Sequence, residues 1–161
     1  MTQRLLVGVT FVAALGCGLI GGVFFAFSTF VMGALSRLPA PQGIAAMQSI
    51  NVVVLNPRFL TPFVGTALLS AFLVVGGLFL RPGNAFLWIA GLLYLAGTFL
   101  VTMVCNVPRN DALAVVDPLS AEAARLWSAY VPGWTLWNHV RTAAALAASA
   151  LLTLALRAGI R

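Results

Sequence analysis

The stretch "WTLWNHVR", Trp134 to Arg141, gathers two tryptophans, the chain's one histidine, an asparagine and an arginine, although charged residues make up only 7% of the sequence. On a helix turning about 100° per residue, Trp134, Trp137, Asn138 and Arg141 are spaced i, i+3, i+4 and i+7 and share one face. His139 falls off that face, beside Thr135 and Thr142. A second polar group, "CNVPRND" from Cys105 to Asp111, sets Asn106 and Asn110 one turn apart if a helix continues through Pro108. A guanidinium with neutral amides suits the stabilisation of an oxygen anion, and Asp111 or His139 could accept a proton. Amides can orient a ligand without the desolvation cost of a charge.

These residues must be held by elements whose natural solvent is lipid. The 161 residues are 61% hydrophobic, against about 45–50% in soluble domains. All nine basic residues are arginine, the acids are only Asp111, Asp117 and Glu122, and the net charge is +6. The arginines are spread singly and form no basic, aromatic-interleaved stripe. Nucleic acid is therefore not the expected partner, and the lipid bilayer is. Cys17 and Cys105 lie inside apolar runs. One histidine, two separated cysteines and three loop acids make no metal-ligand spacing, and no glycine-rich loop resembles a phosphate cradle. No protein-ligated metal is expected, and the lone axial candidate, His139, leaves haem open.

Four apolar runs, about 5–35, 59–80, 85–107 and 134–156, each have the roughly 20 residues a helix needs to cross a hydrocarbon core. The fold class is all-α: a transmembrane four-helix bundle, expected as a single integral membrane domain over 1–161. Asn56 before Pro57 reads as a helix N-cap, and "RPGN" at 81–84 as a tight connector whose Asn84 caps the third span. The two long loops, 36–55 and 108–133, fall on one side. Each carries a short amphipathic pattern: Ile44, Met47, Gln48, Asn51 and Leu55 in one, and Leu119, Ala123, Leu126, Trp127 and Tyr130 in the other. Short interfacial helices roofing the bundle are expected from both, the second starting at Pro118, Ser120 and Glu122. The first run continues well past "ALGC" at 14–17 and reads as a retained helix rather than a signal peptide. Its Gly18, Gly22 and Gly33 predict close helix packing. Phe24, Phe25, Phe27 and Phe30 suit core or lipid contact. Both termini are expected in the cytoplasm, across a bacterial cytoplasmic membrane.

The polar residues collect at the long-loop end, whereas the other end offers little beyond arginine. That asymmetry argues against a permeation path and suits a site open to one interface, which a lipophilic ligand could enter sideways. Arg141 sits about 10 Å into the fourth run and needs a partner. Asp111, Asp117 and Glu122 are the acidic candidates. A Pro108 break could also free backbone carbonyls for Arg141 or Asn138. Trp134 and Trp137 read first as interfacial belt aromatics. A non-enzymatic alternative stands beside the chemical one: the cluster could simply tie helices together.

The phrases N-P-x-F at 56–59, N-x-P-x-N-D-x-L at 106–113 and W-x-x-W-N-x-x-R at 134–141 occur in order. With "GVFFAFSTFVMGALSRLP" (22–39) and "GIAAMQSINVVVLNPRF" (43–59) they resemble the anthrone-oxygenase-like family of small four-span membrane proteins. The resemblance covers nearly the whole chain. It implies an oxidoreductase, a monooxygenase using molecular oxygen on a lipophilic polycyclic or phenolic substrate; because a deprotonated anthrone can react with oxygen directly, a base, an oxyanion clamp and an apolar pocket would serve without a redox cofactor. The resemblance carries over Asn51, Asn56, Asn106, Asn110, Asp111, Trp137, Asn138 and Arg141; with His139 added as a proton acceptor on chemical grounds, Arg141, Asn138, Asn106, Asp111 and His139 are the catalytic candidates. Asn51, Asn56, Asn110 and Trp137, with Trp134 added because its ring could hold a flat substrate, are the substrate-binding candidates.

Overall fold

A computed structural model describes residues 3–80 and 84–159. Five helices run through them: α1 (Gln3–Leu35), α2 (Ala40–Val53), α3 (Pro57–Phe79), α4 (Ala85–Ala114) and α5 (Ala121–Ala158). All but α2 are long and apolar enough to cross a membrane, and the chain is an integral membrane protein built as an all-α bundle. Arg81, Pro82, Gly83 and Arg161 lie outside the described residues.

The helix starts follow their capping chemistry. Asn56 accepts from the amides of Arg58 and Phe59 at 2.9 and 3.2 Å, with Pro57 in the first turn, where its missing N–H costs nothing. Ser120 caps α5 by accepting from Ala123 N at 3.0 Å. Asn84 stands at the start of α4, but its side chain makes no capping bond.

Two expected boundaries move. The third span does not end near Val107; it continues through Pro108 to Ala114. The fourth begins at Ala121 rather than Trp134, so the helix expected in the second long loop is the first part of α5, continuous through Pro132. Proline removes one helix bond, but packing on both sides keeps these helices whole. Only α2 remains as a separate roof helix.

Helix lengths then set the molecule's shape. α3, with 23 residues, is about 34 Å long and just spans a hydrocarbon core of about 30 Å; α5, with 38, is about 57 Å. The extra length of α1, α4 and α5 stands beyond the start of α3 and joins α2 in a cap. Two apolar clusters match this division. One, between the spans, includes Cys17, Ile20, Phe63, Leu73, Leu87, Tyr94, Ala148 and Leu152. The other, in the cap, includes Met32, Leu35, Ile44, Met47, Leu113, Trp127, Tyr130 and Trp134.

Close packing of α1 uses one of the expected glycines, Gly18, together with Gly16 and Gly21. A Cβ on Gly21 would stand 2.8 Å from Leu146 and 3.3 Å from Ala145, and one on Gly16 would collide with Thr66. Gly18 approaches Ser149, whereas Gly22 and Gly33 face open space.

Candidate functional site

The cap and the spans meet around Arg141. Its side chain is 4% exposed. None of the expected carboxylates serves it: Asp111, Asp117 and Glu122 are all exposed. Its partners are neutral. Nη1 donates to Thr102 Oγ1 at 3.2 Å and Nη2 to Asn138 Oδ1 at 2.7 Å. The guanidinium carbon lies 4.1 Å from the centre of the Phe24 ring and 5.0 Å from that of Trp134, close enough for both π faces to attract the cation. The remaining nitrogen, Nε, is buried and has no hydrogen-bond partner.

Asn138 positions this cation. Its Nδ2 donates to the Phe24 carbonyl and to Ser28 Oγ, each at 2.7 Å, while Oδ1 holds Arg141. Every polar atom of the amide is therefore committed within the protein. Asn106, also fully buried, donates from Nδ2 to the Trp134 carbonyl at 3.2 Å, and its Oδ1 has no partner. Higher in the cap, Asn110 Oδ1 accepts from the Tyr130 hydroxyl at 2.9 Å and from Trp134 Nε1 at 2.8 Å. Asn51 of α2 faces the Tyr130 hydroxyl, and its buried Nδ2 is left without a hydrogen bond.

The backbone of α4 explains how so many polar groups reach α5. Tyr94, Thr98, Thr102, Asn106 and Asn110 recur every four residues. On a regular α-helix each step of four drifts about 40° around the axis. Over Leu93–Leu100 and Thr102–Asn106 the helix widens to i→i+5 bonding, so Val101 N bonds Ala96 O and Val107 N bonds Thr102 O. The wider turns work against that drift: Thr98, Thr102, Asn106 and Asn110 all bond α5, while Tyr94, at the start of the series, donates to the Phe63 carbonyl of α3. Such π segments are rare and cluster at functional sites. Thr98 Oγ1 donates to the Arg141 carbonyl at 3.3 Å, which fixes the register of α4 against α5. At Pro108 it is Arg109, not Arg141 or Asn138, that reaches a carbonyl, that of Cys105.

The structure thus brings together Arg141, Asn138, Asn106, Asn110, Asn51 and Trp134. Trp134 is buried in the cluster rather than standing in an interfacial belt, and Trp137 is half-buried at its edge. Asp111 and His139 are exposed. Asn56 is tied up in capping: besides accepting two amides, it donates to the Val53 carbonyl at 2.7 Å. Thr98, Thr102, Ser28 and Tyr130 are site residues that sequence reasoning passed over as chemistry. The four-residue spacing in α4 was the signal that could have found two of them, Thr98 and Thr102, but a period of four does not match the α-helix. Among the described residues no three His, Cys, Asp or Glu side chains gather where they could hold a metal ion.

The spare valences are one cationic donor at Arg141 Nε, a neutral donor at Asn51 Nδ2 and an acceptor at Asn106 Oδ1. They are bordered by two aromatic rows. Trp127, Tyr130 and Trp134 stack with centroids 5.5 and 6.4 Å apart. Phe59, Phe63 and Phe99 stack at 5.7 and 5.3 Å, with Phe24 edge-on to Phe63 at 6.4 Å. This combination can stabilise negative charge on the oxygen of a flat apolar molecule.

Against family models, residues 57–151 match the one described as anthrone oxygenase. That region holds α3, α4 and all of the Asn106, Asn110, Trp134, Asn138 and Arg141 positions; Asn51 lies before it. No curated protein and no solved structure matches the chain.

Proposed function

The chain belongs to the anthrone oxygenase family, and from that premise we propose that it is a membrane-bound oxygenase acting on a lipophilic polycyclic or phenolic carbon acid with molecular oxygen. The observation that carries this reading is Arg141: a buried guanidinium on a helix long and apolar enough to cross a membrane, held by neutral groups, with one N–H unused. A cation there costs several kcal/mol even on lenient insertion scales, and an oxyanion is the partner that offsets the cost.

For an anthrone, loss of a proton from the methylene carbon places charge on the carbonyl oxygen across the ring, where Arg141 Nε would hold it. The electron-rich carbon then forms a C–O bond to dioxygen. The resulting peroxide takes up a proton, and loss of water with the second methylene hydrogen leaves a carbonyl. The sum is anthrone plus O2 giving anthraquinone plus H2O. Asp111 and His139 are exposed and outside the cluster, so the first proton passes to water at the cap side rather than to either of them. Asn138 holds Arg141 in place, and Asn106 Oδ1 orients the substrate.

The test is oxygen uptake with anthrone by membranes carrying Arg141→Gln. Loss of one such donor costs about 10²- to 10³-fold in turnover elsewhere, and a fall of that order is expected while folded protein still accumulates. Full turnover by the variant would remove Arg141 from the reaction. A variant that loses stability, beside a wild type with no oxygen uptake, would favour a purely structural cluster.

A further inference from the structure

The two aromatic rows beside Arg141 differ in what lies behind them. Trp127, Tyr130 and Trp134 are all buried and belong to the cap's own core. The other row grades outward. Phe24 and Phe63 are each 5% exposed, whereas Phe59 and Phe99 are half-buried. Beyond them stand exposed apolar residues of the lipid-facing surface, Val64 on α3 and Leu100 and Met103 on α4. Thr102, which accepts a hydrogen bond from Arg141, is also only half-buried. On this side the groups around the guanidinium, the Phe59 and Phe99 rings and Thr102, are only partly covered.

The backbone is weakest at the same place. Phe59 lies in the first turn of α3, at the membrane boundary where amphipathic molecules concentrate. Pro62, one turn on, has no amide hydrogen to donate to the Arg58 carbonyl, so the first turn is tied to the rest of the helix by one bond fewer. The turn is held from the other side by the Asn56 cap. A segment anchored at its start and loosened toward the helix body can move its ring aside without unfolding the span.

We infer that the ligand of the Arg141 cluster enters and leaves laterally, from the bilayer between α3 and α4, past the rings of Phe59 and Phe99. The inference rests on the oxyanion-binding reading of Arg141 above. It makes Phe59 a gate and Phe63 with Phe24 the apolar floor over which a flat molecule slides to the cation. The ligand class is one that dissolves in lipid and presents a single carbonyl or enolate oxygen at its leading edge.

The test uses full-length protein in lipid nanodiscs with 9,10-anthraquinone as the probe, its binding followed by quenching of tryptophan fluorescence in a stopped-flow instrument. Phe59→Ala is expected to raise both association and dissociation rates by about tenfold while the Kd shifts by less than about threefold, because a gate changes the barrier and not the end states. Pro62→Ala restores the missing amide and is expected to lower both rates. Leu68→Ala, on the exposed lipid face of α3, is expected to change neither. Unchanged rates in both Phe59→Ala and Pro62→Ala, beside a wild type that binds the probe and consumes oxygen with anthrone, would overturn the lateral gate and leave the oxygenase reading intact. A wild type that neither binds the probe nor oxidises anthrone would overturn both.

Discussion

Asn138 carries three hydrogen bonds that cross helices or orient the cation: to the Phe24 carbonyl, to Ser28 and from Arg141. Asn138→Leu strips all three and leaves buried groups unpartnered, each at about 1–3 kcal/mol. We expect a clear fall in thermal stability in detergent and loss of oxygen uptake. Asn138→Asp should behave differently. A carboxylate can still accept from Arg141 but cannot donate to Phe24 or Ser28, and it neutralises the cation that an oxyanion would need. Its stability should exceed that of the Leu variant, while activity is equally lost; retained activity in Asn138→Asp would mean that the positive charge is not used. By contrast, His139→Ala and Asp111→Ala are expected to keep turnover within about twofold, as exposed positions away from special features tolerate change. At this scale the face shared by Trp134, Asn138 and Arg141 was legible, because 3.6-residue periodicity holds in α5. The partner of Arg141 was not. Composition points to acids as partners for a buried base, yet Thr102, Asn138 and two ring faces share the task, and hydroxyls on apolar helices look like filler.

Helix α4 does with its backbone what α5 does with side chains. Its widened turns align Thr98, Thr102 and Asn106 toward α5, and they work only if the two helices touch. Gly97 permits that approach: a Cβ there would stand 2.5 Å from the Cβ of Ala144. Gly97→Ala is therefore expected to push the helices apart, destabilise the protein by about 1–3 kcal/mol as overpacking does, and lengthen the Thr98 to Arg141 bond. Ala144→Gly should recover much of the loss in the double variant. Additive destabilisation of the two changes, measured by thermal unfolding, would place the constraint elsewhere. Lipid-spanning lengths, the Asn56 cap and the roof helix α2 were all legible, since hydropathy and capping residues act locally. The continuity of α4 through Pro108 and of α5 through Pro132 was not, because packing against neighbouring helices decides whether a proline ends a helix. The same limit hid the buried hydroxyls of Thr10, Thr66, Ser70 and Tyr94 in the half that composition marks as featureless.

The whole molecule is a bilayer-spanning bundle carrying a cap built from the overlong ends of three spans and one roof helix, with Arg141 at the seam. Because the spans and the cap have separate apolar clusters, the cap can loosen while the spans hold. Its tie to α4 runs through Gln48, whose Nε2 donates to the carbonyls of Leu113 at 2.8 Å and Val116 at 3.0 Å, closing the end of that helix. Leu113 lies in the last turn of α4, where carbonyls have no later helical amide to serve them, and Val116 lies just past the helix end. Gln48→Leu removes the donor but keeps the side-chain bulk, so apolar packing of Ile44 and Met47 should persist. Hydrogen exchange measured by mass spectrometry on protein in nanodiscs is expected to quicken over 40–53 and 107–116, with 10–22 and 142–155 unchanged, since local opening follows cooperative units. Asn51 sits one turn from Gln48 on the same roof helix, so turnover should fall with the loosening even though Arg141 is untouched. Quickened exchange across the spans as well would mean that cap and bundle open as one unit, and that the seam at Arg141 is a rigid joint.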